Sequence, residues 1–237
     1  MSLVKIPLLL SSAVGVHVAF TPPNDPTPNE KIKANSREIF LNTVIALCGT
    51  VKVAFWLGVL GQSAATLIPL IPPSKLPTAA LALLKALGGP ESRPITPAFL
   101  AGTTLSSAAG LLRWACYRAL GRLFTFHLSV RKDHRLVTDG PYSIVRHPSY
   151  TATALCVLGA FTMHGAPGSW LRSSGVADNM FVRGAALSWT AVTGMCAIML
   201  FMRCPKEDEM MKREFGKEWE EWAGRQFNNA DSSWAAK

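Results

Sequence analysis

The chain has 237 residues, of which 49% are hydrophobic and 16% are charged, and its mean hydropathy is +0.22. These values argue against an ordinary soluble domain and favour an all-α, polytopic membrane protein. The formal net charge of +9 would also suit a nucleic-acid-binding protein. However, the basic residues flank apolar segments without a zinc-finger or RNP-like pattern, so we expect no nucleic-acid partner.

Two apolar segments in the N-terminal half, at about residues 3–20 and 39–60, approach the length needed to cross a hydrocarbon core of about 30 Å. No small-x-small cleavage site follows the first segment, so we expect a retained membrane helix there and not a signal peptide. Prolines interrupt residues 61–94, and the apolar run at 76–87 is too short to span. This pattern favours a surface or re-entrant helix.

A third spanning segment is predicted at about residues 96–117. It contains small residues that let helices approach closely, namely Gly102, Ser106, Ser107 and Gly110. Arg113, Arg118 and Arg122 recur towards its end, where we expect them to anchor the helix at the lipid headgroups.

Two further spans are predicted at about residues 150–163 and 181–202, with a Gly- and Pro-containing break at 165–168 between them. In the stretch from Arg113 to Arg146, seven Arg and Lys residues outnumber two Asp residues. The positive-inside rule assigns such a loop to the cytoplasm. The sequence therefore predicts about five transmembrane helices, with this loop facing the cytosol.

Residues 134–150, HRLVTDGPYSIVRHPSY, are called the central segment. They concentrate His, Arg and Tyr side chains between apolar segments. Gly140 and Pro141 predict a turn, and Pro148 stops any helix that enters from the N-terminal side. Irregular backbone at membrane depth is tolerated only where it lines a cavity or is buried in protein. We therefore expect a cofactor pocket at the cytosolic side, formed by this segment.

The composition changes at Arg203, after which the chain is densely charged. Four apolar residues recur there at helical spacing: Met211, Phe215, Trp219 and Trp222. This spacing predicts an amphipathic C-terminal helix, which we expect to close over the pocket. Gly216 is a possible break. Arg203, Glu207 and Asp208 cluster where the last span ends.

Several familiar site patterns are missing from the sequence. The five cysteines form no CxxC pair and mostly lie in apolar runs, so neither a disulfide framework nor a metal site is predicted. There is no GxGxxG, GxxxxGK[ST], GxSxG or HExxH motif. These absences argue against the usual phosphate-binding, serine-hydrolase and zinc sites, and against the glycine-rich loop of soluble Rossmann-type methyltransferases.

The motifs LVTDGPYSIVRHPSY, R-x-x-x-E-D and FGKEWEEW occur in that order within residues 115–225. In this arrangement the sequence resembles the isoprenylcysteine carboxyl methyltransferases, integral membrane enzymes that use S-adenosylmethionine. The resemblance implies carboxyl methylation of the C-terminal prenylated cysteine of proteins at the endoplasmic reticulum membrane. For the chain as a whole we expect N-terminal transmembrane helices and connecting segments over residues 1–112, a methyltransferase core over 113–227 and a tail over 228–237.

The resemblance also assigns site residues. The cofactor would be bound by Glu207 and by residues in or near the central segment. The latter are His127, His134, Arg135, Leu136, Val137, Tyr142, His147, Pro148, Ser149 and Tyr150. Arg203 would hold the substrate carboxylate and act as the catalytic residue. Two departures are visible: the family's usual Glu-Glu pair is Glu207-Asp208 here, and its proline-containing C-terminal segment is absent.

Simple chemistry makes this assignment reasonable. A carboxylate with a pKa near 4 is already ionised at neutral pH, so its methylation needs positioning and desolvation more than a general base. An arginine can hold it through two parallel donors.

Two alternatives stay open: a phospholipid amine N-methyltransferase, and a non-catalytic membrane carrier or scaffold. Prenylated protein C-termini and membrane lipid are the expected partners, and the oligomeric state is not predicted.

Overall fold

The structure is a computed structural model and describes residues 3–24, 48–87, 94–126 and 135–225, together with positions 43 and 46. All regular secondary structure in these residues is helical, as predicted. The helices are α1 (Lys5–Ala19), α2 (Cys48–Leu67), α3 (Thr78–Ala86), α4 (Pro97–Leu120), α5 (Pro148–Gly165), α6 (Trp170–Ser173) and α7 (Met180–Phe215). Residues 217–225 form a further helical segment, α8.

Local chemistry sets several helix ends. Pro148 is the first residue of α5, where its missing N–H would have no intrahelical partner. Asn179 caps α7 by accepting hydrogen bonds from the first amides. Gly216 ends α7 with a φ of 54°, a conformation that L side chains rarely adopt. The predicted turn at Gly140 and the predicted ends of helices at Gly165 and Gly216 are confirmed.

The core is built from α1, α4 and α5, which pack closely because small residues lie where they cross. A Cβ added to Gly110 would lie 2.8 Å from the backbone oxygen of Gly15 on α1. One added to Gly102 would lie 2.8 Å from the backbone oxygen of Gly159 on α5. The prediction that small residues in this segment allow close helix approach is confirmed.

Within the residues that the structure describes, two helical segments are long and apolar enough to cross a membrane, Cys48–Leu70 and Met180–Phe215. Helix α1 is apolar but has only 15 residues. Helix α3 has nine residues, none of them buried, as expected for the short apolar run in this region.

Helix α7 differs from the prediction. A span ending near residue 202 and a separate charged helix were expected, but α7 continues through Pro205 for 36 residues. Proline removes one backbone hydrogen bond, yet the residues around it are mostly good helix formers, so the helix persists. It ends at Gly216, where a backbone conformation suited to glycine is adopted. Consequently, Arg203, Glu207 and Asp208 lie on the same rigid element as the apolar span.

Candidate active site

A cavity of about 120 Å³ lies where the start of α5, the end of α7, residues 135–147 and α8 meet. Nine of the predicted site residues line it: Arg135, Leu136, Val137, Tyr142, His147, Ser149, Tyr150, Arg203 and Glu207. Two motifs that are about 60 residues apart in sequence therefore contribute to one site. The individual roles of these residues stay predictions.

Among the predicted site residues that the structure describes, Pro148 does not line this cavity. Pro148 is buried as the first residue of α5, where it shapes the backbone. His127 and His134 lie outside the described residues.

Asp208 joins α7 to the segment before α5. Its Oδ2 accepts a hydrogen bond of 2.9 Å from Arg146 Nη1, and its Oδ1 lies 2.9 Å from His147 Nε2. An ionised carboxylate can only accept, so Nε2 carries the proton. Both contacts are partly buried, where charge-assisted hydrogen bonds are stronger than in water. Asp208 thus fixes the imidazole plane.

Glu207, the neighbour of Asp208, contacts the first turn of α5. Its Oε2 accepts a hydrogen bond from the Tyr150 hydroxyl and lies 4.0 Å from His147 Nδ1. The rings of His147 and Tyr150 are stacked, with centroids 5.4 Å apart and planes within 4°. The two acidic residues therefore hold an aromatic pair that begins α5.

Arg203 lies one helical turn before Glu207 on α7, so both side chains point to the same side of the helix. Its side chain is buried, with 6% of the residue exposed. Arg203 Nη1 donates a 2.9 Å hydrogen bond to the carbonyl oxygen of Phe126. This contact uses one of the five N–H donors of the guanidinium and holds it at the cavity wall.

Helix α8 packs against the central segment. The indole Nε1 of Trp222 donates to the carbonyl oxygen of Tyr142 at 3.3 Å, and Trp222 is buried. Trp219 also lines the cavity. Burial raises the pKa of the Tyr142 hydroxyl above its usual value, and neighbouring Cys116 adds to this effect. Tyr142 therefore stays protonated at neutral pH.

Arg113 is not the headgroup anchor that the sequence predicted. It is buried in α4 and donates from Nη1 to the carbonyl oxygen of Ser149 at 2.8 Å and to the Ser149 hydroxyl. Its guanidinium lies over the rings of Phe124 and Phe126, 5.1 and 5.0 Å from their centroids. Arg113 thus clamps the first turn of α5 from behind. Its position inside the apolar segment, one turn before Tyr117, was the available signal.

Sequence reasoning also missed contributors to the cavity wall. Arg146 and Asp208 belonged to the noted polar clusters, but no role was assigned to either residue. The predicted apolar stripe comprised Met211, Phe215, Trp219 and Trp222 on one helix. Met211, Trp219 and Trp222 line the cavity. Phe215 is not among the lining residues, and the stripe is divided between α7 and α8 at Gly216.

Comparison with known proteins finds a similarity to one family. The model of the isoprenylcysteine carboxyl methyltransferase family matches residues 102–183. The resemblance to this family is confirmed. The matched region contains α4, the central segment and α5, and it ends before Arg203 and Glu207.

Two relatives were found among characterised proteins. Protein-S-isoprenylcysteine O-methyltransferase B from Arabidopsis thaliana is 29% identical over 126 residues, which cover 52% of this chain and 54% of the relative. The cobalt-zinc-cadmium resistance protein CzcN from Cupriavidus metallidurans is 47% identical over 45 residues, 19% of this chain and 21% of the relative. The chain thus spans about half the length of the first relative. No solved structure matches the isoprenylcysteine carboxyl methyltransferase-like chain.

Proposed function

We propose that the protein transfers a methyl group from S-adenosylmethionine to the carboxylate of a C-terminal prenylated cysteine. The main support for this proposal is that two sequence motifs, one in the central segment and one at the end of α7, line the same cavity. His147 and Tyr150 come from the segment that matches the family, and their partners Asp208 and Glu207 come from α7. Both motifs also resemble motifs of this family.

The donor set suits S-adenosylmethionine. Glu207 and Asp208 offer anionic oxygens for its ammonium group, and Arg135 and Arg146 offer donors for its carboxylate. Trp219 presents an aromatic ring on which adenine can stack. The cavity of about 120 Å³ is smaller than the roughly 300–1,000 Å³ of pockets for drug-sized ligands. Binding therefore requires the cavity to widen.

When bound, the cofactor supplies an electrophilic methyl group on a sulfonium. The protein's own residues hold and orient the acceptor. Arg203, fixed at the wall by Phe126, attracts the substrate carboxylate and turns one oxygen towards the cavity. Because that carboxylate is already ionised, positioning and exclusion of water replace a general base.

A second, smaller cavity supports a lipid substrate. It has a volume of about 30 Å³ and shares Phe124, Thr125 and Tyr150 with the main cavity. Its other walls come from the end of α1, the start of α2, α4, α5 and α7. They are largely apolar but include Arg113 and Thr153. An apolar prenyl chain is suited to such a path between helices, since it has no reason to leave the bilayer.

We further propose that α1, α2, α4, α5 and α7 cross the endoplasmic reticulum membrane, with the cavity at the cytosolic face. The excess of basic residues from Arg113 to Arg146 supports this orientation. The exposed apolar side chains on α2 and α7 support contact with lipid, including Leu57, Leu60, Leu187 and Ile198.

The test uses detergent-purified full-length protein. Saturable binding of radiolabelled S-adenosylmethionine and methyl transfer to a farnesylcysteine analogue are expected. The same analogue with an amidated carboxylate should accept no methyl group. Methylation of a phospholipid amine but not of farnesylcysteine would favour the phospholipid N-methyltransferase alternative. The absence of saturable cofactor binding would favour a non-catalytic carrier or scaffold.

A further inference from the structure

A third cavity, larger than the two described above, lies away from the candidate active site. It has a volume of about 680 Å³ and is bounded by α2, α5, α6 and the first part of α7. Its walls are mainly apolar and include Phe55, Leu57, Phe161, Trp170, Leu187 and Trp189. This volume falls within the range of about 300–1,000 Å³ that is typical of ligand pockets.

Most polar groups on these walls already have partners. The indole N–H of Trp170 donates to Leu87 O at 3.0 Å, and that of Trp189 donates to Val51 O at 3.2 Å. The hydroxyl of Thr190 donates to Ala186 O at 2.9 Å. Any occupant therefore meets an apolar wall whose hydrogen-bonding groups are largely satisfied.

Two side chains that line the cavity, the imidazole of His164 and the exposed Arg183 at the rim, differ in this respect. The guanidinium of Arg183 makes no hydrogen bond or ion pair within the part of the chain that the structure describes. Asp178, the acidic residue closest in sequence, does not pair with it. A cation that has no protein partner beside an apolar cavity complements a ligand with one anionic end.

The continuity of α7 places this cation at a defined depth. Arg183 and Arg203 are separated by 20 residues of one uninterrupted helix, or about 30 Å at 1.5 Å per residue. This separation equals the thickness of a hydrocarbon core. If Arg203 lies at the cytosolic face, Arg183 lies at the phosphate level of the opposite leaflet.

We propose that this cavity is a binding site for an anionic phospholipid of the leaflet opposite the candidate active site. Its phosphate pairs with Arg183, and one acyl chain lies between α2 and α7 against Trp170 and Trp189. The imidazole of His164, which also lines the cavity, faces the same ligand. The proposal rests on the proposed membrane placement and is independent of methyl transfer.

The two wall tryptophans allow a direct test. Delipidated full-length protein in mixed micelles would be titrated with phosphatidylglycerol or phosphatidylcholine carrying brominated acyl chains, which quench nearby tryptophan fluorescence. Phosphatidylglycerol should quench at a roughly five- to tenfold lower mole fraction than phosphatidylcholine. Trp189→Phe should remove much of the quenched fluorescence. This result would show that the quenching lipid lies in this cavity.

Matched variants decide the assignment. Arg183→Gln should abolish the preference for phosphatidylglycerol, whereas Arg172→Gln should keep it, because Arg172 is at the same end of the bundle but does not line the cavity. Ala186→Phe, which fills the cavity, should remove the quenching. The proposal is overturned if both lipids quench equally, if Arg183→Gln keeps the preference, or if light scattering shows a dimer that covers the cavity. Because the assay contains no cofactor or methyl acceptor, loss of the proposed enzyme activity would not affect its outcome.

Discussion

His147 Nε2 and Asp208 Oδ1 lie 2.9 Å apart, joining the segment before α5 to α7. Asp208 also binds Arg146, so one carboxylate holds two consecutive side chains. This contact connects the two halves of the proposed cofactor site.

Asp208→Asn should weaken cofactor binding by roughly tenfold or more, because hydrogen bonds to charged groups contribute about 1.5–3 kcal/mol. The substitution keeps the shape of the side chain but loses the charge that holds His147 and Arg146. Equilibrium binding of S-adenosylmethionine measures the effect. Asp139→Asn, in an exposed acidic residue of the same loop, is the control and should bind normally. Unchanged affinity in folded Asp208→Asn would show that His147 needs no such support.

Arg203→Lys should lower the rate of methyl transfer by about 100-fold or more while cofactor affinity changes little. Lysine keeps the charge but cannot offer two parallel donors to a carboxylate. Turnover of a farnesylcysteine analogue and cofactor binding would be measured on the same preparation. Equal losses in both measurements would instead assign Arg203 to the carboxylate end of the cofactor.

Trp222→Phe should loosen α8 slightly, since it removes one hydrogen bond of about 1 kcal/mol to Tyr142. Trp222→Ala should loosen it much further, because a buried aromatic ring contributes about 3–5 kcal/mol. Hydrogen exchange of the amides of residues 217–225 measures the docking. Trp114→Ala, at an exposed position on α4, should leave that exchange unchanged. The same slow exchange in all variants would mean that α8 is held by other contacts.

Gly110→Ala should destabilise the helix bundle by about 1–3 kcal/mol, because the added Cβ overlaps the backbone of Gly15. Gly184 provides the matched control. A Cβ at Gly184 meets nothing within 4 Å, so Gly184→Ala should be neutral or slightly stabilising through its higher helix propensity. Thermal unfolding in detergent separates the two variants. Equal stability would mean that α1 and α4 can shift apart without cost.

The sequence predicted those features that depend on local chemistry. Gly140, Pro148 and Gly216 were identified as breaks because proline and glycine constrain the backbone wherever they occur. Their predicted effects agree with the helix ends. Nine of the predicted site residues also line the cavity, because the two motifs that contain them meet there; their roles stay predictions.

Features that depend on tertiary packing were not predicted. The burial of Arg113 requires the carbonyl of Ser149 and the rings of Phe124 and Phe126, which come from other parts of the chain. The continuity of α7 through Pro205 reflects the helix-forming residues on both sides, whereas composition alone suggested a boundary at Arg203. The pairing of Asp208 with His147 likewise depends on how α5 and α7 meet.

Under the proposed membrane placement, the unbroken length of α7 would also couple the candidate site to bilayer thickness. The apolar part of α7, about residues 181–202, is about 33 Å long, and a hydrophobic stretch longer than the local hydrocarbon core adapts by tilting. Because Glu207 and Asp208 lie on the same helix beyond this part, a tilt would change their approach to Tyr150 and His147 on α5. A thicker or thinner membrane would then alter the geometry of the candidate site without any molecule binding there.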